Sequence, residues 1–325
     1  MTSSVSTSVF DHTDGNETAA LFAGLSDVQI DTAAVPVRLE GATAEGVLWQ
    51  AAPGRFLLRV PEVARFLVQA GRNVTIDREP GAVASDIRGF LHMTPLAALL
   101  YQRGRLALHA AAAANSEGAI LLAGDSGTGK STLLVALLKR GWTMLADEVA
   151  AVDLDRHGEI RVAPVFPEIR LWRNAREKSG KTTAHPAGSS SSSLWSQRQS
   201  DHGLTVSKVE QFAATPQPLR AICWLTAHNV DRIEVRVLEG MERFRALGTM
   251  TYNSHIADAL QDRAEYLRQA AILARSVPIL RLCRPRGKWT VEDLADQVGT
   301  AFGCATDRGQ IEGESMQAGS MRAGE

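Results

Sequence analysis

Short apolar runs separated by glycine and proline set the hydrophobic pattern of residues 35–79. The runs lie at residues 35–40, 46–51, 55–60 and 73–79. Because they are short and rich in Val, Leu, Ile and aromatic residues, they predict strands. Residues 61–70 open with a proline and predict a short helix between two of these strands. We therefore expect a small α+β module, mainly of strands, over residues 21–84.

The next part of the chain alternates between helical and strand-like patterns around one glycine-rich turn. In chain order the pattern predicts a helix over residues 85–104 broken at Pro95, strands over 106–114 and 119–123, a helix over 131–140 and a strand over Thr143–Ala146. A turn at residues 115–118 predicts that the first two strands form a hairpin and lie side by side. A buried strand therefore leads into the glycine-rich turn, and a helix leads out of it.

The second half of the chain predicts further scaffold elements. They are strands over residues 149–153, 159–164, 220–225, 231–238 and 278–283, helices over 241–250 and 255–277, and a last helix that begins at Val291. Residues 178–204 include five consecutive serines and predict a mobile loop, which is either a lid or an insertion without a catalytic part. Residues 1–20 and 305–325 are polar and are expected to be disordered. The main domain is expected over residues 85–304.

Composition and charge narrow the class of protein. The 325 residues are 45% hydrophobic, which is ample for a core, and the net charge of -1 offers no electrostatic attraction for nucleic acid or a membrane surface. The three cysteines lack C-x-x-C spacing, which indicates reduced thiols and no zinc site. No signal-peptide pattern and no apolar run of about 18 residues occurs. We expect a cytoplasmic protein that binds neither nucleic acid nor membranes.

The run GDSGTGKS at residues 124–131 fits the G-x-x-x-x-G-K-[ST] pattern of a phosphate-binding loop. In such loops the glycines let backbone amides surround phosphate groups, the lysine reaches the terminal phosphates, and the serine hydroxyl binds Mg²⁺. The predicted nucleotide-binding residues are Gly124, Asp125, Ser126, Gly127, Thr128, Gly129, Lys130, Ser131 and Thr132.

Two adjacent acids, Asp147 and Glu148, follow the next predicted strand, and Asp147 stands 17 positions after Lys130. Carboxylates at this sheet edge can bind Mg²⁺ or accept a proton from an attacking hydroxyl. In many nucleotide hydrolases the acidic metal ligand comes much later in the chain. The alternative is a pair of solvated acids at a strand end.

Three motifs in this order resemble the catalytic domain of HPr kinase/phosphorylase and related bacterial serine kinases. They are Leu108-His109-Ala110-Ala111 before the loop strand, GDSGTGKS in the loop, and RGWTMLADE at residues 140–148. The resemblance is specific over residues 99–165 and weaker from about residue 56 to about residue 284.

The resemblance implies an α/β fold with a P-loop, in which a mixed sheet related to that of phosphoenolpyruvate carboxykinase is flanked by helices. The small β-rich module at the N-terminus comes from the strand pattern instead, and it is shorter than, and unlike, the regulatory N-terminal domain expected of full HPr kinases. The resemblance implies ATP and Mg²⁺ as cofactors and a serine hydroxyl of a protein or peptide as acceptor, and it allows a homo-oligomer.

The resemblance also implies roles for individual residues. His109, Asp147 and Lys130 are expected to act in catalysis, with Asp147 taking the acceptor proton, and Ser131 and Glu148 are expected to hold Mg²⁺. The family usually has two aspartates where this chain has Asp147-Glu148. A later family carboxylate matches Glu168, which adds it to the expected metal ligands. Without the resemblance, a single histidine among alanines on a strand is more often structural than catalytic.

These features favour an ATP-dependent kinase that phosphorylates a serine-type hydroxyl. Related kinases with a shortened N-terminal module of this kind resemble tailoring kinases that modify ribosomally made peptides, including lasso-peptide precursors. A peptide is therefore a better candidate acceptor than HPr. Two alternatives stay open from the sequence. One is a P-loop nucleotide hydrolase, and the other is a regulatory module that binds ATP without catalysis.

Overall fold

The computed structural model describes residues 25, 27–154, 158–172, 195–199 and 204–302, without the side chains of 170–172, 195–199 and 204–207. The strands are β1 (Gln29–Thr32), β2 (Ala44–Glu45), β3 (Trp49–Ala52), β4 (Arg55–Val60), β5 (Ala64–Gln69), β6 (Asn73–Arg78), β7 (Leu106–Asn115), β8 (Gly118–Ala123), β9 (Thr143–Ala146), β10 (Val149–Leu154), β11 (Ile160–Ala163), β12 (Glu168–Trp172), β13 (Trp195–Gln199), β14 (Leu204–Val209), β15 (Gln217–His228), β16 (Glu234–Val237) and β17 (Ile279–Pro285). The helices are α1 (Ala84–Leu91), α2 (Thr94–Gln102), α3 (Lys130–Leu138), α4 (Gly240–Met250), α5 (Ser254–Leu260), α6 (Arg263–Ser276) and α7 (Val291–Phe302).

The first sheet has six strands in the order β1-β6-β5-β4-β3-β2. Its neighbours are antiparallel except for β1 and β6. The helix predicted over residues 61–70 is wrong, because this segment contains strand β5. Ala64, Phe66 and Val68 are buried while the residues between them are partly exposed. This alternation with a period of two is typical of a strand with one face in the core. It outweighs the tendency of Pro61 to begin a helix.

The strand predicted over residues 35–40 is also wrong. Val35 and Leu39 do pack into a small core beside β3 and β4, so the apolar pattern does mark buried positions. Their backbone amides, however, donate to side chains and not to a neighbouring strand. The amide of Val35 donates to Asp77 Oδ2 at 2.9 Å, and that of Leu39 to Gln50 Oε1 at 2.8 Å.

The second sheet is mixed and has the order β11-β10-β7-β8-β15-β17-β16, with β9 paired to β7 beside β10. Strands β8, β15 and β17 run parallel, and β7 and β8 form the predicted antiparallel hairpin. The carboxyl ends of three neighbouring strands therefore lie at one sheet edge. In α/β proteins ligands bind at that edge.

Two hydrophobic cores cover the faces of this sheet, so the protein is of the α/β class. Helices α3 and α7 pack on one face through Leu133, Leu137 and Leu294. On the other face, α4 and α6 contribute Leu247 and Leu273 to a core that also includes α2 and the six-stranded sheet. Helix α2 is apolar on all sides, as expected for a helix buried between two layers.

The predicted proline break in residues 85–104 is confirmed, because α1 and α2 are separate and Pro95 lies in the first turn of α2. The single helix predicted over residues 255–277 is instead two helices, α5 and α6. The side chain of Asp262 accepts from the amide of Ala264 at 2.9 Å and caps α6. An N-cap of this kind starts a new helix and explains the break.

The third sheet has the order β12-β14-β13 and includes part of the predicted loop 178–204. Residues 195–199 form strand β13, so the prediction of irregular structure is wrong there. The rest of that loop up to residue 203, and the ends predicted to be disordered at 1–20 and 305–325, lie outside the described residues. In the described part of the chain, no helix has both the length and the apolarity needed to cross a membrane.

Candidate active site

The predicted phosphate-binding loop connects β8 to α3 at the carboxyl edge of the second sheet. Its glycines have positive φ angles, 140° at Gly124, 81° at Gly127 and 106° at Gly129, which favour glycine over other residues. A methyl group on Gly124 would also collide with the carbonyl oxygen of Leu225 in β15. The loop can therefore follow this path only with glycine at its first position.

Lys130 is the first residue of α3, and its side chain turns back under the loop. Its Nζ donates to the carbonyl oxygens of Gly124 at 2.8 Å and Asp125 at 3.2 Å, and it lies 2.9 Å from His109 Nε2. The residue is only 7% exposed. Burial lowers the pKa of Lys130, while Glu148, Asp147 and Asp125 act in the opposite direction. The acids thus stabilise a cation in a buried position.

His109 lies on β7 and contacts both Lys130 and Glu148. Because an ammonium group can only donate, His109 Nε2 accepts from Lys130, and the proton of the neutral ring is on Nδ1. That nitrogen lies 3.2 Å from the carbonyl oxygen of Glu148 and 3.6 Å from its Oε2. Burial, followed by the charge of Lys130, lowers the pKa of His109. Both effects favour the neutral ring.

Asp147 and Glu148 lie between β9 and β10, two strands that pair one after the other with the same edge of β7. Glu148 has a φ of 73°, a conformation that ends β9 and lets β10 resume at Val149 opposite His109. Asp147 is 8% exposed, and its Oδ1 accepts from Ser131 Oγ at 2.8 Å. The strand Thr143–Ala146 is therefore confirmed, and its end brings both acids to the loop.

Glu168, at the start of β12, belongs to a different set of contacts. Its carboxylate lies 3.1 Å from Arg88 Nη1 and 3.6 Å from His92 Nδ1, and the His92 ring stacks on Phe166. A metal ion at Glu168 would have to displace these partners, and its metal role stays a prediction. Within the described residues, no three His, Cys, Asp or Glu side chains form a group that could hold a metal ion.

The remaining predicted loop residues form the outer turn of the loop. Thr128 Oγ1 donates to the carbonyl oxygen of Asp125 at 2.7 Å, which stabilises the turn internally. Asp125, Ser126 and Gly127 are exposed, while Thr132 is half-buried at the start of α3. The turn therefore presents its backbone to solvent at the sheet edge.

Two residues near the site were not predicted from the sequence. Arg284, at the end of β17, donates from Nε to the carbonyl oxygen of Thr128 at 3.0 Å. The Tyr252 ring lies 6.0 Å from the ring of His109, between centroids. Neither residue is part of a local motif. Their positions follow only from the parallel order β8-β15-β17 and from the bridge between Leu108 and Thr251.

Comparisons with known proteins give a likeness in structure but no family. No protein-family model matches the chain, and a search of curated proteins finds no match. Among solved structures, the chain is similar to the HPr(Ser) kinase/phosphatase from Coxiella burnetii. The sequence identity is 11%, the match covers 60% of this chain and 91% of that one, and the TM-score is 0.30. The function is therefore inferred from the residues of the loop and their contacts.

Proposed function

We propose that this protein is an ATP-dependent kinase that transfers the γ-phosphate to a serine-type hydroxyl of a protein or a ribosomally made peptide. The observation that carries the proposal is that four side chains, those of His109, Lys130, Ser131 and Asp147, meet at one loop. Lys130 contacts His109, and Ser131 contacts Asp147, at 2.9 and 2.8 Å. A lysine, a hydroxyl and a carboxylate around a glycine-rich loop are the groups that phosphoryl transfer requires.

The residues at the loop fit ATP and Mg²⁺. Added Cβ atoms at Gly127 and Gly129 would meet no atom within 4 Å, so the backbone there is open to a phosphate group. Ser131 and the acids supply oxygen ligands, which Mg²⁺ prefers, and this ion needs only one or two carboxylates besides phosphate oxygens and water. Bound Mg²⁺ would neutralise charge on the phosphate oxygens.

Each side chain then has a defined task. The ammonium of Lys130 would neutralise the β- and γ-phosphate oxygens, while His109 orients it from the side of β7. Ser131 and Glu148 are the proposed ligands of Mg²⁺. Asp147, placed beside Ser131, would accept the proton of the attacking hydroxyl.

The two acids and His109 favour catalysis over simple nucleotide binding. Burying the carboxylate of Asp147, which is only 8% exposed, has a desolvation cost, and a module that only senses ATP does not need carboxylates at the phosphate end of the site. The short connection from the loop to the acids through α3 and β9 also differs from the order typical of many hydrolases.

The test is to incubate the protein with γ-labelled ATP, Mg²⁺ and candidate acceptors, namely precursor peptides from neighbouring genes and HPr. A kinase moves label to the acceptor, and mass spectrometry then locates the phosphoserine. Label that appears only as inorganic phosphate identifies a hydrolase instead. ATP binding without turnover identifies a sensor. Lys130→Ala serves as the inactive control.

A further inference from the structure

A cavity of about 700 Å³ opens at the same sheet edge as the phosphate-binding loop. Its walls come from the connection after β15, the connection after β17 and the first two turns of α7. Asp231, Arg232, Pro285, Lys288, Trp289 and Asp293 line it. Its volume falls in the range of small-molecule sites in proteins, about 300–1,000 Å³.

The position of the cavity relates it directly to the loop. Strand β15 lies between β8, which leads into the loop, and β17, which ends at the cavity. Two strand spacings separate β8 from β17, or about 10 Å. Arg284 bridges this interval, because its Nε bonds Thr128 in the loop while the next residue, Pro285, lines the cavity. A ligand held at the loop can therefore extend into the cavity.

The lining suits a flat heterocycle with a polar edge. The indole of Trp289 is 41% exposed and offers a surface for stacking. Arg232 and Lys288 supply donors, and Asp231 and Asp293 supply acceptors. Because the charged groups are of both signs, the cavity is poorly suited to a second phosphate group, which the aspartates would repel.

From this arrangement we infer that the cavity binds the base and ribose of the nucleotide whose phosphates lie in the loop at residues 124–131. Trp289 stacks on the base, and the charged residues contact the polar edges of the base and the ribose hydroxyls. The inference rests on the proposed function, since it requires a nucleotide in the loop. It adds a binding site formed by two connections and the start of α7, none of which carries a sequence motif.

Calorimetric titration with two probes, MgATP and magnesium tripolyphosphate, separates the two parts of the site. Tripolyphosphate has the phosphates of ATP but no base. We expect Trp289→Ala to weaken MgATP binding at least about tenfold, because base–aromatic stacking is lost. Binding of tripolyphosphate by this variant should change less than about twofold, since the loop is intact. Trp289→Phe, which keeps an aromatic face, should bind MgATP nearly as well as the wild type.

A matched control is Leu267→Ala, which removes another exposed apolar side chain, 42% exposed, on α6, a helix that packs on the opposite face of the second sheet from α7. It should leave both affinities unchanged. Wild-type MgATP affinity in Trp289→Ala would overturn the inference while leaving the loop assignment intact. Equal weakening of both probes would also overturn it, because Trp289 would then act on the loop itself. If the wild type binds neither probe, the proposed function fails and the inference fails with it.

Discussion

At the scale of single residues, the site depends on a buried lysine with several partners. Lys130 is surrounded by two carbonyl oxygens and the imidazole of His109, with Glu148 and Asp147 close enough to affect its pKa. Burial alone would favour the neutral amine. The acids and carbonyls oppose this effect, so the ammonium is positioned before any phosphate binds.

The lowered pKa of His109 predicts that the stability of the protein depends on pH. This pKa is lowered from 6.5, so the unfolded chain binds this proton more readily than the folded protein does. The stabilising contribution is therefore present above about pH 6.5 and is lost as the pH falls toward the lower pKa of the folded state. Urea unfolding of the wild type and His109→Gln at about pH 7.5 and about pH 5 measures this.

Glutamine can still accept a hydrogen bond from Lys130 but does not titrate, so the variant controls for all other ionisable groups. We expect the wild type to lose more stability than His109→Gln between the two pH values. Parallel losses in both proteins would contradict the proton assignment at His109.

At the scale of secondary-structure elements, burial outweighs local propensity. Strand β7 contains five consecutive alanines at residues 110–114, and alanine alone favours helix. The strand forms because it is paired with β8, β9 and β10 and buried on both faces, and its small side chains let α3 pack closely on it. The strand and the turn at 115–118 are predicted correctly from the sequence. The same competition explains the wrong prediction for β5, since Pro61 favours a helix where alternating burial requires a strand.

The geometry of the loop between β8 and α3 predicts that alanine destabilises the protein more at one loop glycine than at another. Gly124→Ala places a methyl group against Leu225 at a φ of 140°, whereas Gly127→Ala has open space around it at a φ of 81°. We expect Gly124→Ala to be the more destabilising, by about 1–3 kcal/mol. Thermal unfolding of both variants without nucleotide measures the difference, and equal melting temperatures would contradict the close approach of loop and β15.

The contact between Arg88 and Glu168 joins α1 to β12, and it predicts energetic coupling. Both side chains are largely buried, at 15% and 10% exposure, so removing one takes a close ion-pair contact from the other in a poorly solvated position. In a double-mutant cycle with Arg88→Met and Glu168→Gln, we expect a coupling free energy of about 0.5–3 kcal/mol. If Glu168 binds Mg²⁺ instead, the coupling is near zero and Glu168→Gln changes the Mg²⁺ dependence of ATP binding.

At the scale of the whole molecule, the contacts that could be predicted from the sequence are those between residues that lie close together along the chain. The glycine-rich motif and the strand Thr143–Ala146 together predicted that Asp147 reaches the loop, and the hairpin predicted that β7 lies beside β8. Arg284 and Trp289 come about 150 residues after the loop. Their approach depends on the parallel order of β8, β15 and β17, which no local pattern encodes.

The proposed transfer of phosphate to a hydroxyl is tested most directly by the rate of this reaction in Asp147→Asn, measured beside the affinity of the variant for MgATP. Asparagine keeps the shape of the side chain and can still accept from Ser131, but it cannot take the proton of an attacking hydroxyl. We expect transfer to the acceptor peptide to fall by about 10²–10⁴-fold, with the dissociation constant for MgATP changed by no more than a few fold. Full transfer activity in Asp147→Asn would contradict the proposal that Asp147 accepts the proton of the attacking hydroxyl.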